Sequence, residues 1–246
     1  PRAGQRNHSL TTALTLDSFP LGFRALVIGA SGGIGQAFVQ ALRAHPRCAE
    51  VVGLHRRSQP RLDMDDEASI GQAADALRAG GTFHLIIHAA GVLHGPGFMP
   101  EKKLGDLNYA QLEATLRANT LGPALLLRHF VPLLDRQRGV LALLSAKVGS
   151  IGDNRLGGWY SYRASKAALN MLVKTAAIEV ARSHPQAVLI SLHPGTVNTA
   201  LSQPFRGAHI GRAPHEAAAD MLRVLDRLTP SESGGFFSYT GEPLPW

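Results

Sequence analysis

The chain of 246 residues is expected to fold as a single-domain, doubly wound α/β structure, a mainly parallel sheet flanked by helices. Three features carry that expectation. Apolar runs of strand length alternate with stretches of helical spacing along most of the chain. Those runs are apolar on both faces, as strands buried in a parallel sheet must be. A glycine-rich turn joins the first run to the first helical stretch.

The elements follow in order. Residues 24–29 (RALVIG) read as the first buried strand. Residues 34–44 are helical, with Ile34, Phe38, Ala41 and Leu42 on one face. Residues 50–54 are the second strand, 61–64 a short third, and 67–78 a helix. The connection from Leu54 to Arg61 is too short for a crossover helix, so a loop or turn is expected there. Residues 83–89 form the fourth strand. Helices follow at 109–118 and 121–134, then the fifth strand at 139–145. A long helix spans 160–183 and stops at His184-Pro185. The sixth strand is 187–193, the last helix 214–228 and the last strand 235–239. No linker, repeat or low-complexity segment divides the chain, so residues 23–246 read as one domain behind an extension at 1–22.

Composition narrows the function classes. A hydrophobic fraction of 45% and a charged fraction of 17% supply a core and argue against disorder. Net charge is +7, but Lys and Arg are scattered, so a solvated basic surface is expected rather than a nucleic-acid partner. No apolar stretch reaches the roughly 18 residues of a membrane span, so no membrane partner is expected. The single cysteine, Cys48, allows no intramolecular disulfide and fits a reducing compartment, here taken as the cytoplasm. The chain starts at Pro1, and residues 1–18 are basic; a remnant of a targeting peptide or a loosely docked terminus fits them. The 11 histidines form no H-x-x-x-H pair on an expected helix, so no metal site is expected.

The glycine turn runs Gly29-Ala-Ser31-Gly32-Gly33-Ile34-Gly35. Glycines at 29, 33 and 35 permit a tight strand-to-helix turn and a close backbone approach to a pyrophosphate. The helix that follows offers free N–H groups and a partial positive charge to phosphate. In strand–turn–helix context this is a dinucleotide-binding, Rossmann-type signature. An acidic residue at the end of the second strand would favour NAD. Arg56 and Arg57 stand there instead, and guanidinium pairs well with phosphate, so NADP(H) is favoured over NAD(H). Asp63 is a candidate contact for the adenine end.

The long helix opens Trp159-Tyr-Ser-Tyr162-Arg-Ala-Ser-Lys166. Tyr162 and Lys166 are one turn apart on one face. An ammonium beside a tyrosine lowers its pKa and lets the pair exchange a proton with a carbonyl or hydroxyl oxygen. By itself such a pair is an ordinary feature of helices. Ser145 closes the fifth strand, where ligands of doubly wound sheets lie, and its hydroxyl suits a substrate oxygen. Asn119 is a poor mid-helix residue, suited to bending the helix or binding a water. Trp159 either lines the pocket or anchors the helix start. The segment 200–212 reads as a short lid carrying Leu201, Phe205 and Ile210, over an open pocket.

The glycine turn, His88-Ala-Ala-Gly91, Asn119, Ser145, Tyr162-Arg-Ala-Ser-Lys166 and His193-Pro-Gly195-Thr-Val resemble the short-chain dehydrogenase/reductase family, in the family's order. The stretch from Val148 to Tyr162 and the closing Gly241-Glu-Pro-Leu-Pro-Trp246 resemble its C-factor-like branch, which includes sniffer-type carbonyl reductases. The resemblance implies NADPH-dependent reduction of a carbonyl to an alcohol, with a small-molecule carbonyl or alcohol as substrate. Tyr162 would be the general acid or base. Lys166 would lower the Tyr162 pKa and hold the nicotinamide ribose. Ser145 would orient the substrate oxygen, and Asn119 would hold a relay water. Ala90 and Gly91 would approach the cofactor's ribose. Pro194, Gly195, Thr196, Val197 and Thr199 would lie along the nicotinamide. A homodimer or homotetramer would fit the family. The C-factor resemblance also permits a cofactor-binding signalling protein with incidental turnover. Two departures stand out: Ile28 replaces a frequent Thr, and His88-Ala89 replace a frequent Asn-Asn.

Overall fold

The computed structural model describes residues 14–205 and 207–246. Its elements in chain order are β1 (Phe23–Ile28), α1 (Gly33–Arg43), β2 (Cys48–Leu54), α2 (Glu67–Arg78), β3 (Leu85–His88), α3 (Tyr109–Leu116), α4 (Gly122–Phe130), β4 (Gly139–Leu144), α5 (Tyr160–Ser183), β5 (Ala187–His193), α6 (Gly207–Ile210), α7 (Pro214–Arg227) and β6 (Phe236–Ser238).

The strands form one parallel sheet in the order β2-β1-β3-β4-β5-β6. Strand alternation sorts the core into two layers. Leu26, Ile86, Leu141 and Leu189 are register neighbours and face α2, α4 and α5. Val27, Ile87, Ala142 and Ile190 are the next row and face α1 and α7. Burying both faces accounts for the unbroken apolar runs. The chain winds outward from β1 to β2, then returns to β3 on the other side. That reversal opens a crevice at the carboxyl ends of β1 and β3, the place where doubly wound sheets bind ligands.

The expected third strand at 61–64 does not form; the stretch is irregular. Its polar groups find local partners instead of a sheet edge. The Leu62 N–H bonds the His55 carbonyl at 3.1 Å, the Asp63 N–H bonds Ser69 Oγ at 3.0 Å, and Arg61 pairs with Asp63 and Asp66, each at 2.7 Å. The connection after β2 is a turn, as its length required. The two helices expected at 109–134 are one helical passage, α3 into α4, joined by a π turn at Arg117–Leu121. Most of the extension, residues 1–13, lies outside the described residues. Of the remainder, Leu16 and Phe19 are wholly buried in the layer with Phe23.

Candidate active site

The crevice is lined first by the glycine turn. Gly29 has φ +85°, and a Cβ there would stand 2.6 Å from the Ala90 nitrogen. A Cβ on Gly35 would strike the Gly29 carbonyl oxygen. One on Gly33 would meet Thr199 Cγ2 at 2.8 Å. The turn thus brings three sequence-distant segments together: 29–35, 89–91 and 199. Ser31, Gly32 and Gly33 are exposed at its mouth. Helix α1 starts at Gly33 with no side-chain cap and no acidic residue in its first turn. Its first N–H groups have no intrahelical partner, so they suit an anion. This cradle fits the pyrophosphate of a dinucleotide. Arg56 and Arg57, just past β2, are exposed and make no ion pair among the described residues. Asp63 is already held by Arg61.

Across the crevice, α5 packs against the end of β4. Gly149 allows the approach, since a Cβ there would lie 2.7 Å from Lys166 Cβ. Lys166 Nζ donates to the Leu144 carbonyl at 2.9 Å and sits 5.7 Å from the centroid of the Tyr162 ring. Gly91 reaches the same spot: a Cβ on it would be 3.6 Å from Lys166 Nζ and 3.3 Å from Asn119 Oδ1. Ser145, the residue after β4, is 3% exposed, and its hydroxyl donates to Asn170 Oδ1 at 2.7 Å. Tyr162, Lys166 and Asn170 follow each other at single turns along one face of α5. The fold therefore sets Lys166 beside the Tyr162 ring and Ser145 against Asn170, one turn further along the same face of α5.

Asn119 is wholly buried in the π turn. Its side chain is committed: Oδ1 accepts from the Val92 N–H at 2.8 Å, and Nδ2 donates to the Val92 carbonyl at 2.7 Å and to Ser165 Oγ at 3.1 Å. Ser165 Oγ in turn donates to the Tyr162 carbonyl at 2.8 Å. Asn119 thus clamps the loop after β3 onto the catalytic helix. Its main-chain carbonyl has no α-helical donor, because Pro123, four residues on, lacks an N–H.

Burial governs the electrostatics. It pushes the Tyr162 hydroxyl up to about 12 and the Lys166 amine down to about 8. Desolvation sets the direction of the Tyr162 shift, and the Lys166 charge does not reverse it. His88 ends β3 two residues after Ile86, so its ring faces the α5 side. It is wholly buried, neither ring nitrogen has a partner among the described residues, and its pKa falls to about 3 through burial and then the Lys166 charge. His88 is therefore a neutral imidazole. His193 is likewise held down to about 4, by burial and then Lys147.

The Val197–Arg212 bridge and the Arg212 N–H on the Thr196 carbonyl, at 2.9 Å, close the Pro194–Gly195 turn into the lid. Pro194, Gly195 and Thr196 leave β5 beside Tyr239, which a Cβ on Gly195 would meet at 2.7 Å. Rings line the outer wall. Trp159 stands edge-on to Tyr162 at 6.2 Å and to Phe205 of the lid at 4.9 Å, and His94 follows at 5.8 Å from Phe205. Trp159 thus does both things open to it: it lines the pocket and starts α5, with φ +53°. Sequence reading missed Glu101. This buried acid takes the Ser161 N–H at 3.2 Å and the Ser161 hydroxyl, while its carbonyl takes the Trp159 N–H. It caps the catalytic helix from a loop about sixty residues away in sequence. Nothing local signals such a cap. Asn170 was also missed, although its spacing from Lys166 is legible.

Known proteins share this architecture. Residues 24–209 match the family model described as short chain dehydrogenase. The chain is 33% identical over 232 residues to the 1-hydroxy-2-glutathionyl-2-methyl-3-butene dehydrogenase of Rhodococcus sp. (strain AD45), covering 90% of this chain and 98% of that protein. It is 39% identical over 147 residues to the C-signal protein of Myxococcus xanthus, covering 58% of this chain and 83% of that one. The crystal structure of an NADPH-bound carbonyl reductase from chicken fatty liver superposes with a TM-score of 0.78 at 27% identity, over 93% of this chain and all of that one.

Proposed function

The chain belongs to the short chain dehydrogenase family of NAD(P)-dependent oxidoreductases, and from that premise we propose that it is an NADPH-dependent carbonyl reductase of the C-factor-like branch. The observation that carries the reading is the row of Tyr162 and Lys166 with Ser145 at the mouth of the glycine cradle. Arg56 and Arg57, exposed and without an ion pair among the described residues, support NADP(H), since they stand where a 2′-phosphate would need cations. The NADPH in the chicken carbonyl reductase supports it too.

When bound, the nicotinamide supplies the hydride. The chain's own residues do the rest. Gly29, Ser31, Gly32, Gly33, Ile34 and Gly35 hold the pyrophosphate. Ala90, Gly91, Pro194, Gly195, Thr196, Val197 and Thr199 line the nicotinamide half. Ser145 positions the carbonyl oxygen, and Tyr162, protonated at neutral pH, delivers its phenolic proton to that oxygen. Lys166 stabilises the tyrosinate this leaves. A pKa near 8 keeps Lys166 mostly protonated at pH 7 while easing its own proton transfer. The likeness to the C-signal protein supports a second reading, a cofactor-binding signalling protein in which turnover is incidental.

The test is NADPH and NADH oxidation with a panel of aldehydes, ketones and quinones that includes 4-nitrobenzaldehyde. Turnover with NADPH well above NADH is the expected result. Tight NADPH binding with no turnover of any panel carbonyl would overturn the reductase reading in favour of the signalling one.

A further inference from the structure

Behind the catalytic row lies a polar contact that the proton-transfer scheme does not use. Asn170 is 2% exposed. Its Oδ1 takes the Ser145 hydroxyl proton at 2.7 Å. Its Nδ2 is buried and has no partner among the described residues. Both facts concern hydrogen-bond polarity. A serine hydroxyl has one proton and two lone-pair sites. With that proton given to Asn170, Ser145 shows only lone pairs to the substrate. A carbonyl oxygen also shows only lone pairs, so the two would repel. Ser145 can hold a carbonyl only if its proton is released from Asn170.

A carboxamide can release it by turning over. Rotation of the terminal torsion by about half a turn exchanges oxygen and nitrogen, and this torsion is broadly two-fold. Nδ2 then donates to Ser145 Oγ, the orphaned donor is satisfied, and the serine proton is free for the substrate. In the opposite orientation Ser145 donates to Oδ1 and accepts from a substrate hydroxyl. One amide thus serves both the carbonyl and the alcohol.

We infer that Asn170 is a positioning residue that sets the hydrogen-bond direction of Ser145, turning its hydroxyl into a donor for carbonyl reduction. This rests on the reading that Ser145 holds the substrate oxygen. Asp at 170 keeps the shape and, when ionised, offers only acceptors, so it fixes Ser145 in the wrong direction. Leu at 170 offers neither.

The experiment measures kcat and KM for 4-nitrobenzaldehyde with NADPH, and NADPH affinity by fluorescence, in the full chain. The proteins are wild type, Asn170→Asp, Asn170→Leu, Ser145→Ala and each Asn170 variant combined with Ser145→Ala. Asn170→Asp is expected to lower kcat by about tenfold or more, the worth of one misdirected hydrogen bond. KM for the aldehyde should rise with that loss, while NADPH affinity should stay within about twofold. In the Ser145→Ala background either Asn170 change should cost less than about twofold, because the group it acts through is gone. Equal losses in both backgrounds, or a wild-type kcat for Asn170→Asp, would overturn the inference while leaving Ser145 in place. A wild-type kcat for Ser145→Ala would remove Ser145 and Asn170 together. If Asn170→Leu does not fold, the near-isosteric Asn170→Asp carries the same cycle. Absence of wild-type turnover on every panel carbonyl overturns the reductase reading and this role with it.

Discussion

The two ends of the sheet treat polar groups in opposite ways. At the amino ends of the strands, charges are densely bonded. Arg138 donates to the carbonyls of Leu225, Asp226 and Leu228 at the end of α7 and to Ser18 Oγ. It also lies 5.0 Å over the Phe19 ring. Asp135 accepts from Thr82 and from the backbone N–H groups of Gln137 and Arg138. Among the described residues, the Nε atoms of Arg47 and Arg138 are left over there. At the carboxyl ends, both nitrogens of His88, Nδ2 of Asn170 and Nδ1 of His193 are buried without partners among the described residues, and Tyr162 and Lys166 are driven in opposite directions by burial. A cleft of about 720 Å³ bordered by Phe19, Arg47, His84, Asp135 and Arg138 lies at the amino end, away from the chemistry. One end closes its hydrogen bonds and holds the fold. The other keeps polar groups unsatisfied where a reaction can use them.

Five variants probe that contrast. The largest effect belongs to Tyr162→Phe, which should lower kcat by about a thousandfold or more, with NADPH affinity within a few-fold and a melting temperature close to wild type. Retained activity, measured in the same carbonyl assay, would take the proton transfer away from Tyr162. Arg138→Ala should do the reverse. Losing several bonds to backbone carbonyls should lower the unfolding free energy by about 2 kcal/mol, read from urea denaturation, with kcat per folded molecule unchanged. A fall in kcat would show that the two ends are coupled.

Acid stability separates the ends by pH. His88 is neutral in the fold, with its pKa depressed to about 3, while the unfolded chain protonates it near 6.5. Between those values the unfolded state binds more protons, so stability falls as pH drops from 6.5 towards 3. His88→Leu should flatten that part of the curve, by a few kcal/mol at most. An unchanged acid limb would mean that carboxylates elsewhere carry it. The same sign applies to Lys166 at the other limb: stability should rise between about 8 and 10.5 and lose that rise in Lys166→Met. The smallest effect is at the rim. Arg56→Ala should weaken NADPH by about tenfold and NADH by less than twofold, in a titration of cofactor fluorescence. Equal losses would take Arg56 off the phosphate site.

Much of this was written within single elements. The strand–glycine turn–helix at 24–44 and the Tyr162–Lys166 spacing depend on neighbours a few residues away, so periodicity and spacing decide them. The bounds of α2, α5 and β5 follow from the same local logic. By itself, then, the sequence determined the doubly wound fold and the strand–glycine turn–helix at its crevice, and it supplied the Tyr162–Lys166 row on which the proposed proton transfer rests. The tertiary structure decided what depends on distant partners. It left 61–64 out of the sheet, because that stretch satisfies itself on His55 and Ser69. It wound 117–121 into a π turn whose Asn119 clamps Val92 and Ser165. It capped α5 with Glu101 and gave the Ser145 proton to Asn170. Apart from the first, each rests on a hydrogen bond between groups far apart along the chain, and such a bond has a partner only once the layers have packed.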